Sequence, residues 1–253
     1  MSANWPLGPL VKHSPIAGGA MLYNAALARN CQPEWFEPQF WASRGRLLGT
    51  ARGRGTTQFV QAGDRELALR HYRRGGLAAR LYGDRYLWRA EELTRPFAEW
   101  VLTHRLHRAG LPVPAPIAAR YLRDGRLYRG DIITERLPGT VSLTSALQEA
   151  ELPLLTWISV GRCIRRFHDL GMCHADLNAH NVLLGDEVVY LVDFDRCQLR
   201  PDGLWRDANL VRLRRSLEKV TYALAPERFT EADWQALLDG YRAEPPQPPA
   251  RAP

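Results

Sequence analysis

The chain has 253 residues, is 45% hydrophobic and 24% charged, and carries a formal charge of +7. That composition excludes a disordered or collagenous chain and leaves one domain, or two lobes sharing a cleft, around an ordinary core. The positive excess calls for an anionic partner: phosphates, nucleic acid or an acidic membrane surface.

Residues 1–30 are poorly patterned and lack the basic-then-apolar layout of a secretory signal, so a cytoplasmic location is expected. An aromatic cluster follows, Trp35, Phe36, Phe40 and Trp41, with Pro33 and Pro38 interrupting any helix; it is read as a stretch that packs over a neighbouring sheet. TTQFVQA (56–62) and ELALRHY (66–72) alternate as two strands joined by Gly63-Asp64, a hairpin with glycines 53 and 55 at its start. RRGGL (73–77) is a basic loop. TRPFAEWVLTHRLHRA (94–109) is an amphipathic helix opened by Thr94 and Pro96 and stopped by Gly110. LPVPAP (111–116) forces an extended connection, because a residue before proline leaves the helical region.

Strands are expected around 117–123 and 130–136, joined by Asp124-Gly125. Leu137-Pro138-Gly139 then breaks the pattern. A long helix over 154–171 carries apolar residues at 154, 155, 158, 160, 164 and 167. HADLNAHN is a loop, VLLG and VVYLVDF are short strands, and helices cover 205–222 and 230–241 before a proline-rich tail. Of the four cysteines, none in a CxxC pair, Cys163 and Cys173 stand in apolar surroundings and read as buried thiols. No stretch approaches the ~18 apolar residues of a membrane span. The organisation expected is an N-terminal extension (1–34), a strand-rich lobe (35–137), a helical lobe (138–242) and a disordered tail (243–253).

The chemistry is concentrated in His174-Ala175-Asp176-Leu177-Asn178-Ala179-His180-Asn181 and in Val192-Asp193-Phe194-Asp195. Asp176 lies five residues before Asn181, in a loop after a long helix, and Asp193 ends an apolar strand twelve residues later. Two carboxylates and an amide make a hard-oxygen site suited to Mg²⁺, which takes its remaining oxygens from water and phosphates. The bland alternative is an Asx turn bonding its own backbone. His174 reads as a buttress of the loop, His180 as a surface residue, and Asp207 as a helix cap or a brace for the loop.

The ordered set H-x-D-x-x-x-x-N, apolar strand, D-F-D resembles the protein-kinase pattern in spacing and context. The resemblance implies a bilobal α+β kinase-like fold that uses ATP and Mg. Asp176 then receives or orients the hydroxyl proton, and Asn181 and Asp193 hold the metal. Gly53 and Gly55 stand where a phosphate-covering loop belongs. Arg70, in Leu67-Ala68-Leu69-Arg70, occupies the place of the phosphate-binding lysine, and Glu99 is the only acid inside the 94–109 helix able to partner it. Of 34 basic side chains only Lys12 and Lys219 are lysines, and neither falls inside the lobe. A GC-rich codon composition gives the same shortage.

GRGTTQFV, LRHYRRGGL, GLPVPAP, HADLNAHNVLL and VYLVDFDR together resemble the Kdo kinase family, related to the lipopolysaccharide heptose kinases, over roughly 35–220. This resemblance implies phosphorylation of the 4-hydroxyl of Kdo on Kdo-lipid IVA, with the protein peripheral at the cytoplasmic face of a Gram-negative inner membrane. It makes Arg70 the family's own residue. A basic face of Arg70, Arg73, Arg74, Arg80, Arg85 and Arg89 reads either as a surface for an anionic lipid or as ordinary solvated surface, and for the net positive charge an anionic saccharolipid is a better fit than nucleic acid. No obligate protein partner is inferred. A lipopolysaccharide heptose kinase, an aminoglycoside- or choline-type kinase, a small atypical protein kinase and an inactive nucleotide-binding adaptor remain open.

Overall fold

The computed structural model describes residues 8–52, 56–74, 83–222 and 226–243. Within them the chain forms two compact units. One takes residues up to Gly110 together with Pro114–Pro138, and the other takes Leu111–Val113 with residues from Gly139 onward.

The first unit is built on an antiparallel sheet of β1 (Val11–Ile16), β2 (Gly19–Asn24), β3 (Leu47–Arg52), β4 (Thr56–Ala62), β5 (Arg65–His71), β6 (Tyr86–Leu87), β7 (Pro116–Asp124) and β8 (Leu127–Glu135). Its order is β1-β2-β7-β8-β5-β4-β3, with β6 also paired to β8. Gly63, at φ +61°, turns β4 into β5 in a conformation that costs a residue without Cβ least. Residues 8–34 are therefore no separate extension, because they add a hairpin to the sheet. The strand pattern of β1 was hidden because it is an edge strand, half exposed, and carries Pro15, which only an edge tolerates.

Alternation along β5 decides what each face of the sheet does. Leu67 and Leu69 point to a core shared with Val60, Ile117, Ile133, Phe36 and Trp41. Pro33 and Pro38 start short helical turns rather than interrupting one, Pro33–Phe36 and α1 (Pro38–Ala42), and these lay the aromatic cluster over that face. On the opposite face α2 (Arg95–Arg108) packs Phe97 and Trp100 against Leu22, Tyr72, Ala119, Tyr121 and Ile132.

The second unit contains β9 (Val141–Ser142), α3 (Leu143–Glu149), α4 (Leu154–Asp169), β10 (Met172–Cys173), β11 (Val182–Leu184), β12 (Val189–Leu191), β13 (Gln198–Leu199), α5 (Trp205–Tyr222) and α6 (Glu231–Arg242). The apolar stripe of α4 differs from expectation. Trp157, Val160, Ile164 and Phe167 are buried, whereas Leu154 and Leu155 are exposed at the helix start. Cys163 is buried, and burial pushes its thiol up to about 12. Cys173 is only half buried, a correction to the expected pair. Among the described residues, no helix is long and apolar enough to cross a membrane.

Candidate active site

In the first unit, Arg70 and Tyr72 stand two residues apart on the β5 line and so project toward α2. There Arg70 Nη2 donates to Glu99 Oε1, and the Tyr72 hydroxyl donates to Glu99 Oε2. Glu99 is only 5% exposed, and a carboxylate so buried is stable only when its oxygens are bonded. The Arg70 guanidinium also lies 5.0 Å from the centre of the Tyr72 ring, and Arg95 lies 5.5 Å from it. Tyr72 was not singled out from sequence, although its place two residues after Arg70 put it on the same face. Gly53, Gly55 and Arg80 lie outside the described residues. The basic face is not uniform: Arg70 is 26% exposed and ion-paired, Arg74 Nε donates to Arg85 O and packs over Tyr86, and Arg73 and Arg89 are exposed.

At the end of β5, His71 is held between two carboxylates. Its Nδ1 is 2.7 Å from Asp131 Oδ1 and its Nε2 is 2.8 Å from Asp84 Oδ2. Arg120 Nε bonds the second oxygen of Asp131 at 2.8 Å, and Arg129 Nε lies 3.2 Å from Asp84. The bond to Asp131 raises the His71 pKa above its ordinary 6.5, against the opposing effect of burial. A raised pKa in the folded state contributes stability below the unfolded value and loses it as pH rises through the folded value. The thermal midpoint of the wild type is therefore expected to exceed that of His71→Gln most near about pH 6, with the difference shrinking as pH rises. A difference independent of pH contradicts the ionised bracket.

In the second unit, one hydrogen-bonded frame organises the loop after β10. The His174 ring is buried, and burial lowers its pKa, which keeps it neutral. Its Nδ1 accepts from Asp176 N at 3.2 Å, so its Nε2 carries the proton and donates to Val192 O at 3.1 Å. Asn181 Nδ2 donates to Asp176 O at 2.9 Å, and Val192 N donates to Asn181 O at 3.1 Å. Residues 174, 176, 181 and 192 are thus tied together, with Asp193 next in the chain. The Asx turn is also present, formed by Asn178, whose Oδ1 accepts from the backbone of His180 and Asn181. Asp193 adopts φ +64°, a left-handed conformation that Asp tolerates better than most residues. Phe194, 2% exposed, packs against Phe167 and His174 and so anchors the chain directly after Asp193. His180 is exposed.

Helix α5 braces this loop through a face that sequence reading missed. Asn209 Oδ1 accepts from His174 N at 3.0 Å, while its Nδ2 donates to His174 O at 2.9 Å. Ser216 Oγ accepts from Ala179 N at 3.1 Å. Asp207, considered for a cap or a brace, is exposed in the first turn, and the bracing falls to Asn209. The spacing 209, 212, 216 marks one helix face. A buried Asn within an apolar repeat was the available signal.

The donor chemistry fits a small divalent cation. Because Asn181 commits its amide nitrogen to Asp176 O, its amide oxygen is turned away from that carbonyl, and the Asp193 side chain is exposed. Among the described residues no three His, Cys, Asp or Glu side chains form a metal cluster. Two hard protein oxygens suit Mg²⁺, which keeps waters and binds phosphates, better than a metal needing a full protein cage.

Comparison with known proteins places these features in a family. A family model described as Lipopolysaccharide kinase (Kdo/WaaP) matches residues 38–241. A 3-deoxy-D-manno-octulosonic acid kinase of Mannheimia succiniciproducens is 44% identical over 229 residues, covering 87% of this chain and 95% of the relative. Its namesake in Haemophilus influenzae strain 86-028NP is 46% identical over 218 residues, covering 82% and 90%. Among solved structures, WaaP in complex with acyl carrier protein aligns with a TM-score of 0.54 at 20% identity, over 83% of this chain and 88% of that one, a likeness of fold. With its α+β kinase-like fold, the chain belongs to the lipopolysaccharide kinase (Kdo/WaaP) family.

Proposed function

We propose that this protein is a kinase that transfers the γ-phosphoryl group of ATP to the 4-hydroxyl of Kdo (3-deoxy-D-manno-octulosonic acid) on Kdo-lipid IVA, in lipopolysaccharide core assembly. The observation that carries this reading is the frame that binds Asp176, Asn181 and the residue before Asp193 into one loop. Relatives at 44–46% identity that bear the name 3-deoxy-D-manno-octulosonic acid kinase support the acceptor.

Asp176 orients the 4-hydroxyl and receives its proton as the oxygen attacks the γ-phosphorus and the bond to the β-phosphate bridging oxygen breaks. Asn181 and Asp193 would hold Mg²⁺, and the ion would supply neutralisation of charge on the phosphate oxygens. Arg70, fixed by Glu99 and Tyr72, supplies a permanent cation for the nucleotide phosphates. Work at the inner membrane surface follows from an acceptor that is itself a lipid, and the net charge of +7 favours an anionic surface.

Arg70→Lys retains the charge but loses the planar fork. It is expected to lower kcat/KM for ATP by about tenfold, measured at saturating acceptor. Equal or higher activity removes the role given to the arginine.

The test of the whole reading incubates the protein with Mg-ATP and, separately, Kdo-lipid IVA, a heptosylated acceptor and an aminoglycoside. Mass spectrometry is expected to show one added phosphate on Kdo-lipid IVA. Phosphate on another acceptor alone reassigns the substrate.

A further inference from the structure

The face of α5 that braces the loop carries a third residue between Asn209 and Ser216. Arg212 places Nη1 3.6 Å from Asp176 Oδ1, and the two side chains are 54% and 40% exposed. That separation is longer than a hydrogen bond, so the guanidinium stands beside the carboxylate without being locked onto it. Asn209 holds His174 on one side of Arg212 and Ser216 holds Ala179 on the other, which fixes the arginine's backbone against the catalytic loop. A solvent-facing cation is thereby carried on a rigid element next to the group that handles the acceptor hydroxyl.

We infer that Arg212 is the acceptor-carboxylate site: it forks the carboxylate of the acid sugar while Asp176 takes the hydroxyl proton. The inference rests on the proposed function and specifies how that acceptor is recognised. In Kdo the carboxyl carbon C1 and the reacting C4 are separated only by C2 and C3, so the anion and the nucleophile must be received by neighbouring side chains. Arginine matches a carboxylate with two parallel N–H bonds, which a lysine cannot do. The same pairing rejects neutral sugars, because a neutral group leaves the guanidinium beside Asp176 without its second anion.

The test compares Kdo-lipid IVA with its Kdo carboxyl methyl ester, which removes the charge and keeps the 4-hydroxyl. The wild type is expected to prefer the acid by about 10- to 100-fold in kcat/KM, the range of a charge-assisted bond. Arg212→Ala is expected to reduce that preference to about threefold or less, chiefly through the KM for the acid, with Arg212→Lys between the two. Arg214→Ala, which removes the same charge from a residue bound to Glu218 and Glu231, is expected to keep the preference. An unchanged preference in Arg212→Ala, or an effect confined to the KM for ATP, overturns the inference. So does an equal fall in kcat for both acceptors, which marks Arg212 as only a positioner of Asp176. If the wild type phosphorylates neither acceptor, the proposed function itself fails.

Discussion

Asp176→Ala is expected to reduce kcat by about 1,000-fold or more while leaving the fold intact, a loss at the upper end of what removing one general base produces. The two halves of that expectation come from different atoms of the same residue. The loop is held by the Asp176 backbone: its N–H donates to His174 Nδ1, and its carbonyl accepts from the side-chain amides of Asn178 and Asn181. Alanine supplies the same backbone groups. The carboxylate itself is 40% exposed, and its removal is expected to change stability by no more than about 1 kcal/mol. The measurement pairs single-turnover phosphoryl transfer with thermal unfolding of the same preparation. Retained turnover in a folded variant removes Asp176 from the chemistry. Asn181→Ala is a different case, because it deletes a bond of the frame together with the proposed metal ligand.

Gly161→Ala is expected to destabilise the second unit by about 3 kcal/mol or more, although alanine is the better helix former by about 1 kcal/mol. Gly161 lies in the middle of α4 where α6 crosses it. A Cβ there meets Leu237 O at 2.0 Å and Tyr241 N at 2.7 Å. The contact is reciprocal, since a Cβ on Gly240 of α6 meets Ile158 O at 2.1 Å. Backbone rather than a flexible side chain blocks both positions, so the helices must separate and uncover Trp157, Ile164 and Leu237, all fully buried. Urea unfolding checks the sign. A stabilised Gly161→Ala contradicts the close crossing.

The sequence carried the fold most clearly where periodicity and punctuation agreed. The β4–β5 hairpin and α2 fall within a residue or two of expectation because a glycine turn and a Thr-Pro start bound strongly patterned runs. β1 was lost because an edge strand has no buried face to impose alternation. For α4, hydrophobicity alone suggested Leu154 and Leu155, but burial is set by which side α6 covers. The site divides in the same way. Spacing of Asp176, Asn181 and Asp193 within the chain signalled a shared function, and Ala68-x-Arg70 signalled a face. Tyr72, Asn209 and Arg212 were not legible, because each acts through a partner that only tertiary packing supplies: Glu99, the His174 backbone and Asp176. His174 was assigned to bracing from its place in the motif, and its two ring nitrogens are both used for that purpose.

The phosphoryl group is expected on a single hydroxyl of Kdo. A proton–phosphorus correlation spectrum of the product made from Kdo-lipid IVA and ATP locates the new ester. A new phosphorus resonance correlated with the proton on C4 of Kdo is expected. Correlation with a proton on another Kdo carbon or on a glucosamine, or no new phosphate ester at all, contradicts it.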